Sequence, residues 1–587
     1  MKIKSLLILV LSLVTLTAFG QDGGIKGRVV SRAGRIALGD VKITMTPGGT
    51  TTVSDAQGNF VFENIPAGEY SLQFETPEFE TSNIAVRVGS QMRDINAVIL
   101  VPDTQRQMID DAVFAEFDTE TTDDAQALPT SLSASKDLFN NIASYKFSEM
   151  RFNVRGYDSQ YQDVYMNGIQ LNDAMTGYTP WSLWSGLNDA TRNQEVTSGI
   201  VASDAGLGGI GGTTNIVTSP SQMRQGLRAS LVNGNSMYRF RAMVTYASGH
   251  QDNGWSYAFS VSTRQGGNSY VNGVYYNAFG YFAAVEKQFG QRHRLALTLL
   301  GAPTERGAQQ AATQEAYDLV GNNYYNPNWG WQDGKKRNAR VRNNHEPVVM
   351  LNYTFDISDR SKLDLATSLR FGMNGYSALT WQNGPDPRPD YYRYLPSYFA
   401  LDKNMLGAAW QQVYWQANYQ NIRHFDWDKM YQTNYIQNDP VDEAQYGPGR
   451  RSNYMVEERH TDQLDWNLVA NFSHIFRNNS KIYGGLSLRR NRTEYYSEVK
   501  DLLGGDYWAD IDKFAERDFG SNAIAYQNNL DYYYRHGHAH AAKVGDKYGY
   551  DYYAHVLRTK AWAAYNFNVG GLGVTVGGEV GLSLIHI

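Results

Sequence analysis

The tightest constraint on this chain is a two-residue alternation of large apolar and polar side chains, held for about ten residues or more at a time. In 238–248, Tyr238, Phe240, Ala242, Val244 and Tyr246 share one face, and Arg239, Arg241, Met243 and Thr245 share the other. In 255–264, Trp255, Tyr257, Phe259 and Val261 oppose Ser256, Ala258, Ser260 and Ser262. In 362–373, Leu363, Leu365, Leu369 and Phe371 oppose Lys362, Asp364, Ser368 and Arg370. In 464–476, Leu464, Trp466, Leu468, Phe472 and Phe476 oppose Asp465, Asn467, Asn471 and Ser473. A period of two is a strand. Strands this long suit a tilted bilayer crossing. Lipid offers no hydrogen bonds, so such strands must close into a barrel.

Connection lengths give an independent sign. About eleven strands begin near 227, 238, 255, 279, 294, 347, 362, 464, 481, 556 and 572. Even-to-odd connections are tight, at 249–254, 290–293, 358–361, 477–480 and 569–573. Odd-to-even connections grow to 302–346, 374–461 and 494–554. Short turns on one side and long loops on the other match the periplasmic and external ends of an outer-membrane barrel.

Composition fits. Of 587 residues, 13% are aromatic and 41 are Tyr, yet mean hydropathy is only -0.49. Alternate residues face lipid, so the average stays low while aromatics crowd the interfaces. A formal charge of -6 and a pI of about 6.0 leave no basic footprint, which argues against a nucleic-acid partner. The absence of cysteine excludes disulfides, iron–sulfur sites and Cys-zinc sites. Residues 1–20 read as a signal peptide: Lys2 and Lys4, an apolar core at 6–16, then Ala18, Phe19 and Gly20. No later run of 18 apolar residues exists to form a transmembrane helix.

Residues 21–101 show short β-rich runs at 25–30, 41–45, 59–62, 70–74 and 84–88, with turns at 55–60 and 66–70. That is an Ig-like β-sandwich pattern. It is similar to the carboxypeptidase regulatory-like domain, a name that implies no peptidase; no HExxH or nucleophile set is present. Residues 102–135 form an acidic linker, weakly patterned.

Residues 136–222 hold two motifs. The first, at 151–173, contains Arg151, Arg155-Gly156-Tyr157, Asp163 and Asn167-Gly168. Asn-Gly is the strongest two-residue hairpin signal, because both positions need positive φ. The second, at 206–219, bends at Gly211-Gly212 and enters a β-branched strand, Thr213-Thr214-Asn215-Ile216-Val217-Thr218. Together these resemble the plug domain of TonB-dependent outer-membrane receptors of Bacteroidetes type. The resemblance implies a mainly β protein: sandwich, α+β plug, then 223–587 as part of a barrel of about twenty-two strands. Eleven strands and an ending without the family's terminal aromatic lead us to expect a C-terminally truncated chain.

The resemblance also implies function: capture of an external nutrient and import driven by the inner-membrane proton motive force through TonB and its energising complex. Asp111, Ala112, Val113, Phe114, Ala115, Glu116 and Phe117 are the candidate TonB box, which would add as a strand to its partner. Arg151, Arg155, Asp163 and Asn215 are expected to hold the plug in a polar lumen. Tyr178, Trp181 and Trp184 suit either stacking on a substrate or packing of plug against wall. Tyr324, Tyr325, Trp329 and Trp331 suit either a substrate mouth or loop packing. His536, His538 and His540 would share one face if extended, where Zn or Cu could bind; a polar external loop is the other reading, and no metal or cofactor is assigned. The expected partners are outer-membrane lipid, a surface lipoprotein and a small-molecule, peptide or glycan substrate. An adhesin that binds without transporting would keep the same barrel.

Overall fold

The computed structural model describes residues 23–100 and 159–586, apart from 32–36, 77–78, 80–81, 90, 198, 224, 234–237, 252, 268–270, 291, 359, 437–441, 443–445, 447, 479, 521 and 570–571. The expected signal peptide at 1–20, the expected acidic linker with 111–117, and Arg151, Arg155 and Gly156 lie outside the described residues. The chain divides into two compact units, Met1–Ile109 and Asp110–Ile587.

In the first unit, β1 (Gly23–Ser31), β2 (Lys42–Thr46), β3 (Thr50–Val53), β4 (Asn59–Ile65), β5 (Gly68–Glu75), β6 (Ser82–Val88) and β7 (Met92–Leu100) form two sheets, β4-β1-β7 and β3-β2-β5-β6. Alternate residues Ile43, Phe60, Phe62, Leu72 and Phe74 meet between them. Two strands escaped the sequence reading. β3 is a short Thr-rich edge, and in β7 Arg93, Asp94 and Asn96 interrupt the apolar pattern.

The second unit holds a small inner sheet of β8 (Asp163–Met166), β9 (Ile169–Gln170), β10 (Gln194–Thr197) and β11 (Thr213–Ile216), ordered β10-β11-β8-β9. It also holds a wall: β12 (Gly226–Asn233), β13 (Phe240–Ala247), β14 (Trp255–Gly267), β15 (Tyr275–Phe289), β16 (His293–Gly301), β17 (Val348–Ser358), β18 (Ser361–Trp381), β19 (Tyr454–Ile475), β20 (Lys481–Asp501), β21 (Lys547–Val569) and β22 (Leu572–His586). Each wall strand pairs antiparallel with the next in chain order. These are the eleven expected strands, and the long connections leave from one end.

The wall is inside-out relative to a water-soluble sheet. In β14, Phe259 is 47% exposed and Val261 58%, while Ser260 is 1% and Arg264 3%. The same holds in β18 and β19, where Leu369, Phe371, Leu464, Trp466 and Leu468 are exposed and Ser368, Arg370, Asp465 and Asn467 are buried. Apolar side chains in water forfeit roughly 25 cal/mol per Å² of burial, so this face is built for lipid. Tyr238 departs from the expected face. It precedes β13, turns inward and packs on Tyr276 with ring centroids 5.9 Å apart.

Candidate functional site: the seat of the inner sheet and the outer loops

Both sequence motifs meet in the inner sheet. Asn167 and Gly168 turn the β8–β9 hairpin with φ of 49° and 80°. β11 lies parallel to β8, with Thr213 opposite Asp163 and Ile216 opposite Met166. The Asn167 side chain ties the two together: its Nδ2 donates to Thr218 Oγ1 at 2.7 Å, and its Oδ1 accepts the Thr218 N–H at 2.8 Å. Asn215 Oδ1 accepts the Gly168 N–H at 3.1 Å. At Gly211 a Cβ would lie 2.8 Å from the Tyr161 carbonyl, so that approach needs glycine.

Two of the residues expected to seat the plug make hydrogen bonds within the inner sheet. Asn215 is bonded to the Gly168 backbone inside the inner sheet. Asp163 accepts from Gln170 Nε2 of the same sheet at 3.0 Å. Burial raises the Asp163 carboxyl pKa, Lys560 of the wall opposes that rise, and the net direction is up.

Further contacts to the wall come from neighbouring residues. Asp173 Oδ1 accepts the N–H groups of Met175 at 3.0 Å and Thr176 at 2.9 Å, closing a turn. Its Oδ2 accepts from Gln463 Nε2 at 2.9 Å and faces Arg370 at 3.6 Å. Burial pushes the Asp173 carboxyl up, but Arg370 and the Thr176 N–H outweigh it and hold its pKa below the usual value. Arg489, paired with Asp465 through bonds of 2.9 and 2.7 Å, donates to the Asn172 carbonyl at 2.7 Å. Arg558 donates to the Ala174 carbonyl at 3.3 Å and Asn352 to the Asn167 carbonyl at 3.0 Å. Arg264 grips Ser185 at both Oγ, 2.6 Å, and carbonyl, 3.0 Å. Ser219 bonds Glu286, and Lys481 pairs with Asp204 at 3.1 Å. The signal for the wall side was present: Arg370 and Asp465 stand on the polar face of their strands.

Trp181 and Trp184 take the packing role. They are 8% and 6% exposed, meet edge to face at 5.4 Å, and share a core with Leu187, Phe282, Leu300 and Met350. Tyr178 is half-buried beside them in sequence.

In the long connections, the aromatic run at 323–331 divides. Tyr325 is buried, donates to the Arg423 carbonyl at 2.8 Å and meets Trp415 edge-on. Trp329 is buried against His424 at 4.1 Å. Neither lines a surface; both pack the loop. Tyr324 and Trp331 stay open, at 54% and 42% exposure. Burial first, then the cations Arg423 and Lys336, lowers the His424 pKa to about 4. The connections are knit together: Arg337 pairs with Asp501 at 2.6 Å, and Asn434 Nδ2 donates to the carbonyls of Tyr454, Leu502 and Leu503. His536 ends a helix, Leu530–His536, so the three histidines do not form a strand face; their rings gather around Tyr532. Among the described residues no group of His, Cys, Asp and Glu is arranged to hold a metal.

Residues 24–99 match the carboxypeptidase regulatory-like domain. The TonB-dependent transporter Oar of Myxococcus xanthus is 34% identical over 100 residues, which cover 16% of this chain and 9% of that protein. Among solved structures, the pyoverdine receptor FpvA from Pseudomonas aeruginosa PAO1 aligns at 12% identity over 76% of this chain and 52% of that one, TM-score 0.43. The ferric-catecholate import receptor Fiu from E. coli K12, in its open form, aligns at 12% identity over 74% and 60%, TM-score 0.40. This chain thus spans about half the length of those receptors. Residues 24–99 are a carboxypeptidase regulatory-like domain, carried in one chain with an inside-out strand wall that holds a small inner sheet, and 100 residues of the chain are similar to a TonB-dependent transporter.

Proposed function

We propose that this chain serves active nutrient import across an outer membrane, the inner sheet acting as a stopper that a pull from the periplasm displaces. The observation that carries this is the nature of the seat. Wall side chains Arg264, Asn352, Arg489 and Arg558 grip backbone carbonyls between Asn167 and Ser185. Water can replace such bonds when the faces part, at a net cost of about 1 kcal/mol each, or up to ~3 where a charge is involved. The apolar core of Trp181, Trp184 and Leu187 against Phe282, Leu300 and Met350 re-forms no bonds with water and is the part of the seat that resists wetting.

The pull would enter through 111–117 as an added strand on TonB. Cargo would be met from outside by the exposed aromatics Tyr324 and Trp331 and by the half-buried Tyr178, whose faces suit sugars, rings or catechols. The alignments to siderophore receptors suggest a chelated-iron cargo as the first to try. Deleting 111–117 should abolish energised uptake and leave surface binding of cargo intact. Uptake that persists in the deletion variant would reject the reading in favour of a binding-only barrel.

A further inference from the structure

The lipid-facing side of the wall carries two cations that neither the seat nor the loops use. Cross-strand register places Leu369, Trp466, Arg490, Leu557 and Leu584 in one outward row. The next row up reads Phe371, Leu464, Arg492, His555 and His586. Arg490 and Arg492 are exposed and, among the described residues, have no carboxylate partner; the Arg492 guanidinium lies over the Tyr553 ring at 4.8 Å. Higher on the same strands the cations are paired, Lys500 with Glu458 at 2.7 Å and Lys547 with Asp551 at 3.1 Å.

Directly below the arginines, the outward face sinks into two adjoining apolar depressions of about 520 and 540 Å³ that share Ala470, Leu486 and Ala561. Gly484 lines the first, and Leu488 and Leu582 line the second. Height is informative. From Ile482, near the tight turn, to Arg492 is about 33 Å along a strand at ~3.3 Å per residue. With a tilt of ~40° this rises about 25 Å, the height of a barrel's apolar band. Arg492 therefore sits at the headgroup layer on the side of the long connections, and Arg490 about 5 Å below it, within reach of that layer by its side chain. Two residues apart on one face, they are roughly 7 Å apart at the backbone, close enough for both guanidinium forks to hold one phosphate.

We propose that this face binds a phosphorylated, multiply acylated lipid of the outer leaflet, with acyl chains in the two depressions and the phosphate between Arg490 and Arg492. The proposal rests on reading the wall as membrane-embedded. A lone arginine at this height would merely extend its head toward water; two unpaired ones above a continuous apolar groove match the charge and the shape of one ligand.

Native mass spectrometry of the purified, delipidated protein tests it, using detergent micelles doped with dipalmitoyl phosphatidic acid or with dipalmitoylglycerol, which has the same chains and no phosphate. The wild type should hold one phosphatidic acid about tenfold more tightly than the diacylglycerol, the factor expected for a charge-assisted contact. Arg490→Gln with Arg492→Gln should erase that preference, and Ala561→Phe should weaken both lipids by filling the groove. Equal phosphatidic acid binding with and without the arginines, or none by the wild type, overturns the site. Displacement by inorganic phosphate alone would mark a free-phosphate site and also overturn it. Heat-dependent gel migration of the same samples separates the two readings: its absence in the wild type defeats the membrane wall itself.

Discussion

Asp173 uses its two carboxylate oxygens for different ends, one shaping the turn at 173–177 and one facing the wall. Asp173→Asn keeps an acceptor for the turn but removes the charge opposite Arg370, whose other acidic neighbour, Glu346, stands at 3.4 Å. Breaking a buried pair costs ~3–5 kcal/mol. Asp173 keeps some solvent contact, so a loss of about 2–3 kcal/mol is expected, read by chemical denaturation. Adding Arg370→Met should recover part of it; a loss under ~0.5 kcal/mol in Asp173→Asn, the range of ordinary surface substitutions, would remove Asp173 from the seat. The two acids of the inner element also titrate with opposite sign. Asp173, held below 3.8, lends stability above that pH and loses it as pH falls through its lowered value. Asp163, raised above 3.8, binds its proton more tightly when folded, so its contribution declines as pH rises through its raised value. At neutral pH, Asp163→Asn should therefore leave stability equal or higher, the reverse of Asp173→Asn, and a matching drop in both would contradict the assignment.

At the scale of elements, the β8–β9 turn is the hinge on which both motifs meet. Gly168→Ala forces a side chain into a left-handed conformation and should cost about 1–2 kcal/mol. Faster hydrogen exchange in β11, which the turn clasps, would report it; unchanged β11 protection would show the clasp to be idle. The outer loop core has its own pH signature. His424 sits at about 4 against 6.5 unfolded, so the neutral ring favours the fold and stability falls as pH drops from 6.5 toward 4. His424→Phe should flatten that limb in loop protease resistance. The turn was legible because only certain residues take positive φ, and the wall because lipid exposure imposes a period of two. The seat was only half legible. Arginines on a polar face declare themselves, whereas the carbonyls of Asn167, Asn172, Ala174 and Ser185 that receive wall donors carry no residue signature. Trp181 and Trp184 were ambiguous for another reason: an indole suits a core and a sugar face equally well.

For the whole molecule, everything depends on which face of the wall meets lipid. The chain has no cysteine, so single cysteines can carry spin labels without background. Labels placed one at a time at positions 464 to 471 of β19, in the purified protein reconstituted in bilayers, sample both faces of one strand. Oxygen, which concentrates in the hydrocarbon, should relax labels at 464, 466, 468 and 470 strongly and those at 465, 467, 469 and 471 weakly. A two-residue oscillation in that phase is the result the inside-out wall predicts. A flat profile, or one with the odd positions accessible to oxygen, would contradict it.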